Sequence, residues 1–382
     1  ISLPVMSRYG YDPRVSTGVI AASGTITQII PPSLVLVVLA DAMGRSVGDM
    51  YAGAFIPSFI LVGLFCLWIL IVSIVWPEKV PALPKEVRTA TVGVLFMRCM
   101  VSMVPSLVLI FMVLGTILMG LATPTEGGAM GAVGALGLAI LHRRLTLDLL
   151  KQSMDTTLKL TTMVMFILVG STVFSLVFRG VDGDLWVESL LLNMPGGTFG
   201  FLLFVNVFVF FLAFFLDYFE IAFIIIPLLA PVAQKMGIDL IWFGVLLCVN
   251  MQTSFMHPPF GFALFYLRGI ADQIYKNKSL ERPILSKDIY LGALPWVVMQ
   301  LMLVAIVIFW PGSVTSWLDK EQKLDIDKAN QMLEQMGTRQ RSEPAPADNL
   351  TIPAPSAPAS QPAEDPMEAV RRTLEQDKNK KP

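Results

Sequence analysis

Residues 250–265 read NMQTSFMHPPFGFALF, and residues 24–33 read GTITQIIPPS. Both stretches set amides, hydroxyls and a proline pair inside sequence otherwise apolar enough to cross a bilayer. Proline lacks a backbone donor and its ring crowds the preceding turn, so each pair frees carbonyl oxygens. In hydrocarbon an unpaired backbone group costs several kcal/mol, so such a break persists only against protein or beside a water-filled site. Freed carbonyls together with Thr25, Thr27, Asn250, Thr253 and Ser254 make hard-oxygen surroundings of the kind Na⁺ takes. The plainer alternative is a pair of proline kinks that shape packing, against which the density of polar side chains weighs.

A third stretch, FGFLLFVNVFVFFLAFFLDYFEIAFIIIPLLAPVAQ (199–234), carries Asp217 and Glu220 near its centre. As one helix it would exceed about 50 Å, against a hydrocarbon core of roughly 30 Å. Each intramembrane acid costs on the order of 3 kcal/mol, which two lipid-facing acids would incur together. A re-entrant hairpin over about 199–235, with Asp217 near its tip and entering from outside, accounts for both the length and the acids. Two short spans with their acids at an interface are the alternative.

Other polar residues have local explanations. In Thr123-Pro124-Thr125-Glu126 the proline lies in a first turn and Glu126 complements the helix dipole, the pattern of a helix start. A direct substrate contact through Thr123, Thr125 or Glu126 is the second reading. Gly128, Gly131, Gly134 and Gly137 recur at helical spacing, which allows close helix approach. His142, beside Arg143-Arg144, reads as a basic loop at a membrane edge. His142 and His257 lie far apart with no nucleophile-and-base constellation, so an enzyme is not indicated. Cys66, Cys99 and Cys248 sit in apolar spans without CxxC spacing and read as packing residues.

The elements that must position these residues are membrane helices. Hydrophobic residues make up 54% of the 382, 15% are charged, and the mean hydropathy is +0.66. Segments 52–76, 94–120 and 290–310 approach or exceed the roughly 20 residues that span a bilayer. The fold class is therefore an all-α polytopic membrane protein. The formal charge of −1 says little about partners, because here the distribution matters. Beyond about residue 311 the chain turns polar and Pro/Ala-rich, and 311–382 reads as a soluble, largely disordered tail.

An internal repeat runs through the membrane part. Shifting by 227 lays Pro4-Val5 on Pro231-Val232, Gly10 and Asp12 on Gly237 and Asp239, and Pro31-Pro32 on Pro258-Pro259. After an insertion (268–287), Asp49-x-Tyr51-x-Gly53-Ala54 matches Asp288-x-Tyr290-x-Gly292-Ala293. Basic residues decide the orientation. An alternating topology places Arg8, Arg14, Lys79, Lys85, Arg88, Arg143, Arg144, Lys151 and the basic insertion on the cytoplasmic side. Gly10/Asp12 is then cytoplasmic and Gly237/Asp239 external, so the copies are inverted. Inverted repeats with broken helices mark secondary transporters. The expected organisation is 1–76 as the C-terminal part of the first repeat, 77–93 as a cytoplasmic linker, and 94–310 as the second repeat. The tail then emerges on the periplasmic side.

GTITQIIPPS, SVGDMYAGAFIP (46–57), GLATPTEGGA (120–129), the D-x-x-E of the hairpin and the break from Asn250 to Gly261 occur in one order. That order resembles the large membrane subunit of tripartite ATP-independent periplasmic (TRAP) transporters, over about residues 1–310. The resemblance implies an elevator-type, Na⁺-coupled importer of organic acids in the bacterial inner membrane. It implies as partners a small membrane subunit and a periplasmic solute-binding protein. No cofactor beyond the coupling ion and no nucleic acid is implied. Carried residue by residue, the resemblance points to Gly24, Thr25, Thr27, Pro31, Pro32 and Ser33 for one ion or substrate site. For the other it points to Asp217, Glu220, Asn250, Thr253, Ser254, His257, Pro258, Pro259 and Gly261, with Na⁺ held by Asp217, Asn250, Thr253 and Ser254. The family's T-P-P-V-G reads His257-Pro258-Pro259-Phe260-Gly261 here, so the usual threonine is replaced. His257 could supply a nitrogen, accept a proton, or fill space. The first hairpin is expected to precede Ile1, and the chain without it is not expected to transport alone. An ion channel or another type of secondary anion transporter is the alternative.

Overall fold

The computed structural model describes residues 2–84, 86, 91–257, 261–277, 280, 282–316 and 318. Pro258, Pro259 and the tail beyond residue 318, named above, lie outside the described residues. Among those described, the secondary structure is helical throughout. The first half contains α1 (Ser2–Arg8), α2 (Pro13–Thr25), α3 (Leu34–Met43), α4 (Val47–Val75), α5 (Val92–Leu118), α6 (Pro124–Leu141) and α7 (Leu147–Gly180). The second contains α8 (Gly183–Leu192), α9 (Gly197–Leu212), α10 (Tyr218–Glu220), α11 (Ile226–Lys235), α12 (Leu240–Gln252), α13 (Phe262–Lys276), α14 (Ser286–Phe309) and α15 (Gly312–Thr315).

Local chemistry sets the helix ends. Asp12 caps α2, accepting the amides of Arg14 (2.7 Å) and Val15 (3.3 Å), with Pro13 in the first turn. Ser33 and Ser46 cap α3 and α4, and Gly44 closes α3 at φ +63. Such caps satisfy the otherwise orphaned amides and carbonyls at helix ends. Among the described residues, five helical segments are long and apolar enough to cross a membrane: Val47–Val75, Val92–Leu118, Leu147–Gly180, Tyr218–Lys235 and Ser286–Phe309. The chain is thus an all-α polytopic membrane protein. Most of the α5 and α7 surface is open and apolar, the condition of helices that meet lipid or another subunit. In contrast, every residue of α12 from Phe243 to Gln252 is buried, so α12 forms the centre of the core.

The two copies read from the sequence share backbone geometry. Gly10 and Gly237 both adopt the left-handed conformation, at φ +78 and +74. Asp12 and Asp239 both cap a 13-residue helix, α2 and α12, and a 3₁₀ turn follows each (Ile26–Gln28 and Thr253–Met256). One contact of the first copy has its counterpart in the second. Gly292 on α14 lies against the backbone of Arg14 on α2; its counterpart Gly53 on α4 lies against Ile241 on α12, which is Arg14 shifted by 227. At the centre of this arrangement the Gln252 side-chain amide donates to the Thr25 carbonyl (3.1 Å), joining two equivalent positions directly.

Candidate ion and substrate site

The stretch 199–234 folds back on itself. Helix α9 has 16 residues, about 24 Å, which is short for a bilayer crossing. The chain turns at Ala213–Asp217 and returns through α10, a π-helical segment (Ile221–Ile225) and α11. At the end of the return arm Lys235 pairs with Glu188 on α8, just before α9 begins. Both ends of the excursion therefore lie together, and Asp217 sits at the far turn.

At that turn Asp217 precedes α10, and the Glu220 carboxylate accepts the Asp217 amide at 3.2 Å. A cavity of about 180 Å³ is lined by Asp217, Glu220 and Ser254, with Ala213, Phe215, Leu216 and Phe262 around them. The structure thus unites three of the sequence-predicted residues, from the hairpin turn and from the second helix break. Two carboxylates and a hydroxyl on one small cavity concentrate negative potential and offer only oxygen donors. That donor set fits a hard monovalent cation such as Na⁺. Asn250 and Thr253, grouped with them from the sequence, do not line this cavity.

Those two residues have other partners. The Asn250 amide donates to the Asn206 carbonyl (2.7 Å) and side-chain oxygen (3.2 Å), fastening α12 to the hairpin arm α9. Its own side-chain oxygen is buried and has no hydrogen-bond partner among the described residues. Thr253 donates its hydroxyl to the Asn250 carbonyl at 2.6 Å. His257 stacks on Phe214 (4.4 Å, 7°) and meets Phe210 edge-on (4.5 Å, 81°). Both of its ring nitrogens are buried with no hydrogen-bond partner among the described residues. Gly261 is sterically required: a Cβ there would come within 2.7 Å of the His257 carbonyl oxygen.

At the first break the expectation of freed carbonyls needs correction. Ser33 and Cys248 donate to the Gln28 carbonyl, Ser58 to that of Ile29 (3.1 Å), and Tyr51 to that of Ser33 (3.4 Å). Protein side chains thus meet several groups that the prolines release, as burial in a low dielectric demands. Thr25 and Thr27 likewise direct their hydroxyls to the Ala22 and Gly24 carbonyls, at 3.0 and 2.9 Å. Gly24, Thr27 and Pro32 remain exposed, and the Pro31–Pro32 peptide is cis. Thr123 and Glu126 form a capping box at the start of α6, with Thr123, Thr125 and Glu126 all exposed. The partners Asn206, Phe210, Phe214 and Ser58 were not singled out from the sequence, and Tyr51 was named only as part of the repeat. Of the four, only Asn206 carried a signal, as an amide in the middle of an apolar run.

A family model described as "Tripartite ATP-independent periplasmic transporter, DctM component" matches residues 1–313. The chain belongs to this family. As a TRAP permease it is a transporter and not an enzyme. It is similar to the C4-dicarboxylate TRAP transporter large permease protein DctM of Pseudomonas aeruginosa, 29% identical over 330 residues, covering 83% of this chain and 71% of that one. It is also similar to the isethionate TRAP transporter permease protein DctMQ of Oleidesulfovibrio alaskensis, 27% identical over 313 residues and covering 82% and 47%. The sialic acid TRAP transporter permease protein SiaT of Haemophilus influenzae is 24% identical over 316 residues, with 82% and 48% covered. In this TRAP permease the hairpin turn and the second break converge on the acidic cavity, and carbonyls of the first break are met by side chains of α4 and α12.

Proposed function

We propose that this TRAP permease couples Na⁺ entry to the uptake of an organic acid. A periplasmic solute-binding protein delivers the substrate, and a small membrane subunit completes the membrane complex. The relatives named above carry C4-dicarboxylates, isethionate or sialic acid in their names, all organic anions. The carrying observation is the cavity shared by Asp217, Glu220 and Ser254. In the proposed mechanism a Na⁺ ion offsets one negative charge of the carboxylate pair there and bridges the hairpin turn to the broken helix. An anionic substrate then binds against the positive ends of the half-helices. With ion and substrate bound, the hairpin and break cross the membrane as one body, the elevator movement.

The test is uptake by the full-length permease reconstituted with its small subunit and binding protein. Flux should saturate with substrate and require a Na⁺ gradient; unsaturable conductance would indicate a channel instead. Asp217→Asn keeps the shape and removes the charge. It should raise the Na⁺ needed for half-maximal uptake by about tenfold or more, the equivalent of losing about 1.4 kcal/mol of ion affinity. Ser254→Ala should shift it in the same direction but less, because only a neutral ligand goes. An Asp217→Asn permease with unchanged Na⁺ dependence removes this carboxylate from the ion site.

A further inference from the structure

Away from the hairpin, a cavity of about 500 Å³ opens where the start of α2, the C-terminal end of α4 and the first turns of α14 meet. It is lined by Asp12, Arg14 and Lys79 and by the indoles of Trp68, Trp76 and Trp296. Its depth follows from helix geometry. Trp76 and Lys79 lie just past the end of the span Val47–Val75, where a membrane helix leaves the hydrocarbon. Trp68 lies two turns deeper on α4, about 12 Å at 1.5 Å per residue. Trp296 lies about 15 Å along α14 from its start, by the same rise. The cavity therefore runs from a charged rim down to a floor at Trp68 and Trp296, with Val15, Val72 and Leu291 in its apolar lining.

The rim carries both signs in balance. Arg14 pairs with Asp288 at 3.1 Å, and the Asp12 carboxylate caps α2. The Asp12 amide donates to the Lys79 carbonyl (3.0 Å), and the Lys79 ammonium sits 5.0 Å from the centre of the Trp76 ring. Two cations against two carboxylates give a free anion little net attraction, and an uncharged chain would use none of these groups. A zwitterion joined to an apolar tail matches them all. Indole faces attract an ammonium group, a lysine attracts a phosphate, and tryptophan is the residue of the bilayer interface.

We propose that this cavity holds the headgroup of a zwitterionic phospholipid of the phosphatidylethanolamine type. Its phosphate meets Lys79, its ammonium meets the indoles and Asp12, and its upper chains fill the apolar floor. The lipid would sit beside Gly292, where α14 of one copy packs on α2 of the other, and so would brace the joint between the repeats. Native mass spectrometry of the full chain in mild detergent tests this, with phosphatidylethanolamine, phosphatidylglycerol and phosphatidylcholine added in turn. The expected result is retention of phosphatidylethanolamine about fivefold or more above phosphatidylglycerol, with Lys79→Gln and Trp76→Ala each lowering it about fivefold, the scale of one charge-assisted contact at a partly open site. Lys79→Arg should retain it, and Arg144→Gln, in a basic loop on the same side but outside the cavity lining, should change nothing. Equal binding of phosphatidylethanolamine and phosphatidylglycerol overturns the proposal. So does retention that survives both the Lys79 and Trp76 changes. Displacement of the lipid by soluble phosphoethanolamine at equal concentration would assign the cavity to a free phosphoester and overturn it as well.

Discussion

Replacing Asn250 or Asn206 with alanine deletes the same atoms from two nearly inaccessible positions, 1% and 5% exposed. The cavities left are therefore closely matched, and the difference between the variants isolates hydrogen bonding. Asn250→Ala removes the donor of both contacts to the hairpin arm, at 2.7 and 3.2 Å. Asn206→Ala removes only the acceptor of the longer one, because the shorter bond ends on the Asn206 backbone carbonyl. The amide of Asn206 is otherwise spent on the Leu202 carbonyl of its own helix, a group already engaged in the helical ladder. Interhelical side-chain hydrogen bonds within membranes average about 0.6 kcal/mol and reach about 1.7. Asn250→Ala should then cost about 1.5 kcal/mol more than a matched cavity alone, and Asn206→Ala about 0.5. Thermal unfolding in mild detergent, followed by intrinsic fluorescence, should place the Asn250 variant roughly 2–4 °C below the Asn206 variant. The double variant should fall short of the sum of the two single effects by about 0.5 kcal/mol, since the side-chain contact is lost only once. If Asn206→Ala destabilises as much as Asn250→Ala or more, the bond to the backbone carbonyl is not what fastens the hairpin.

Gly292→Ala should cost more than about 2 kcal/mol, because its Cβ would press on the Arg14 backbone, whereas Gly63→Ala, with no atom within 4 Å, should be neutral or slightly stabilising; the same melting assay ranks them. Thr123→Ala breaks the capping box at α6 and should lower stability by about 1 kcal/mol while leaving uptake per folded molecule unchanged. Reduced uptake at normal stability would instead give Thr123 and Glu126 a substrate role. The proposed topology puts the C-terminal tail in the periplasm, so a C-terminal alkaline phosphatase fusion should be active and a green fluorescent protein fusion dark.

Local chemistry in the sequence carried the helix breaks, the hairpin turn and the repeat. Glycines that take left-handed φ, aspartates that cap, and prolines that cannot donate act within a few residues of themselves. Gly10/Gly237 and Asp12/Asp239 could therefore be paired before any fold was known. The same holds for Asp217, because a carboxylate in a long apolar run conflicts with the bilayer whatever the tertiary arrangement. What local chemistry cannot set is the rotational phase at which one helix meets another. That phase turns Asn250 toward Asn206 rather than toward the acidic cavity, and slides His257 between Phe210 and Phe214. It also brings Ser58 and Tyr51 from α4 onto carbonyls of the first break, which the sequence left open. The tryptophan cavity is the extreme case: its residues run from Asp12 to Trp296 and become neighbours only through the crossed packing of the two copies. Hydropathy and backbone-specific residues thus determine which segments break and turn. Which polar groups are satisfied, and which remain free to bind, depends on side chains distant in sequence, because a buried hydrogen bond needs its partner within about 3 Å.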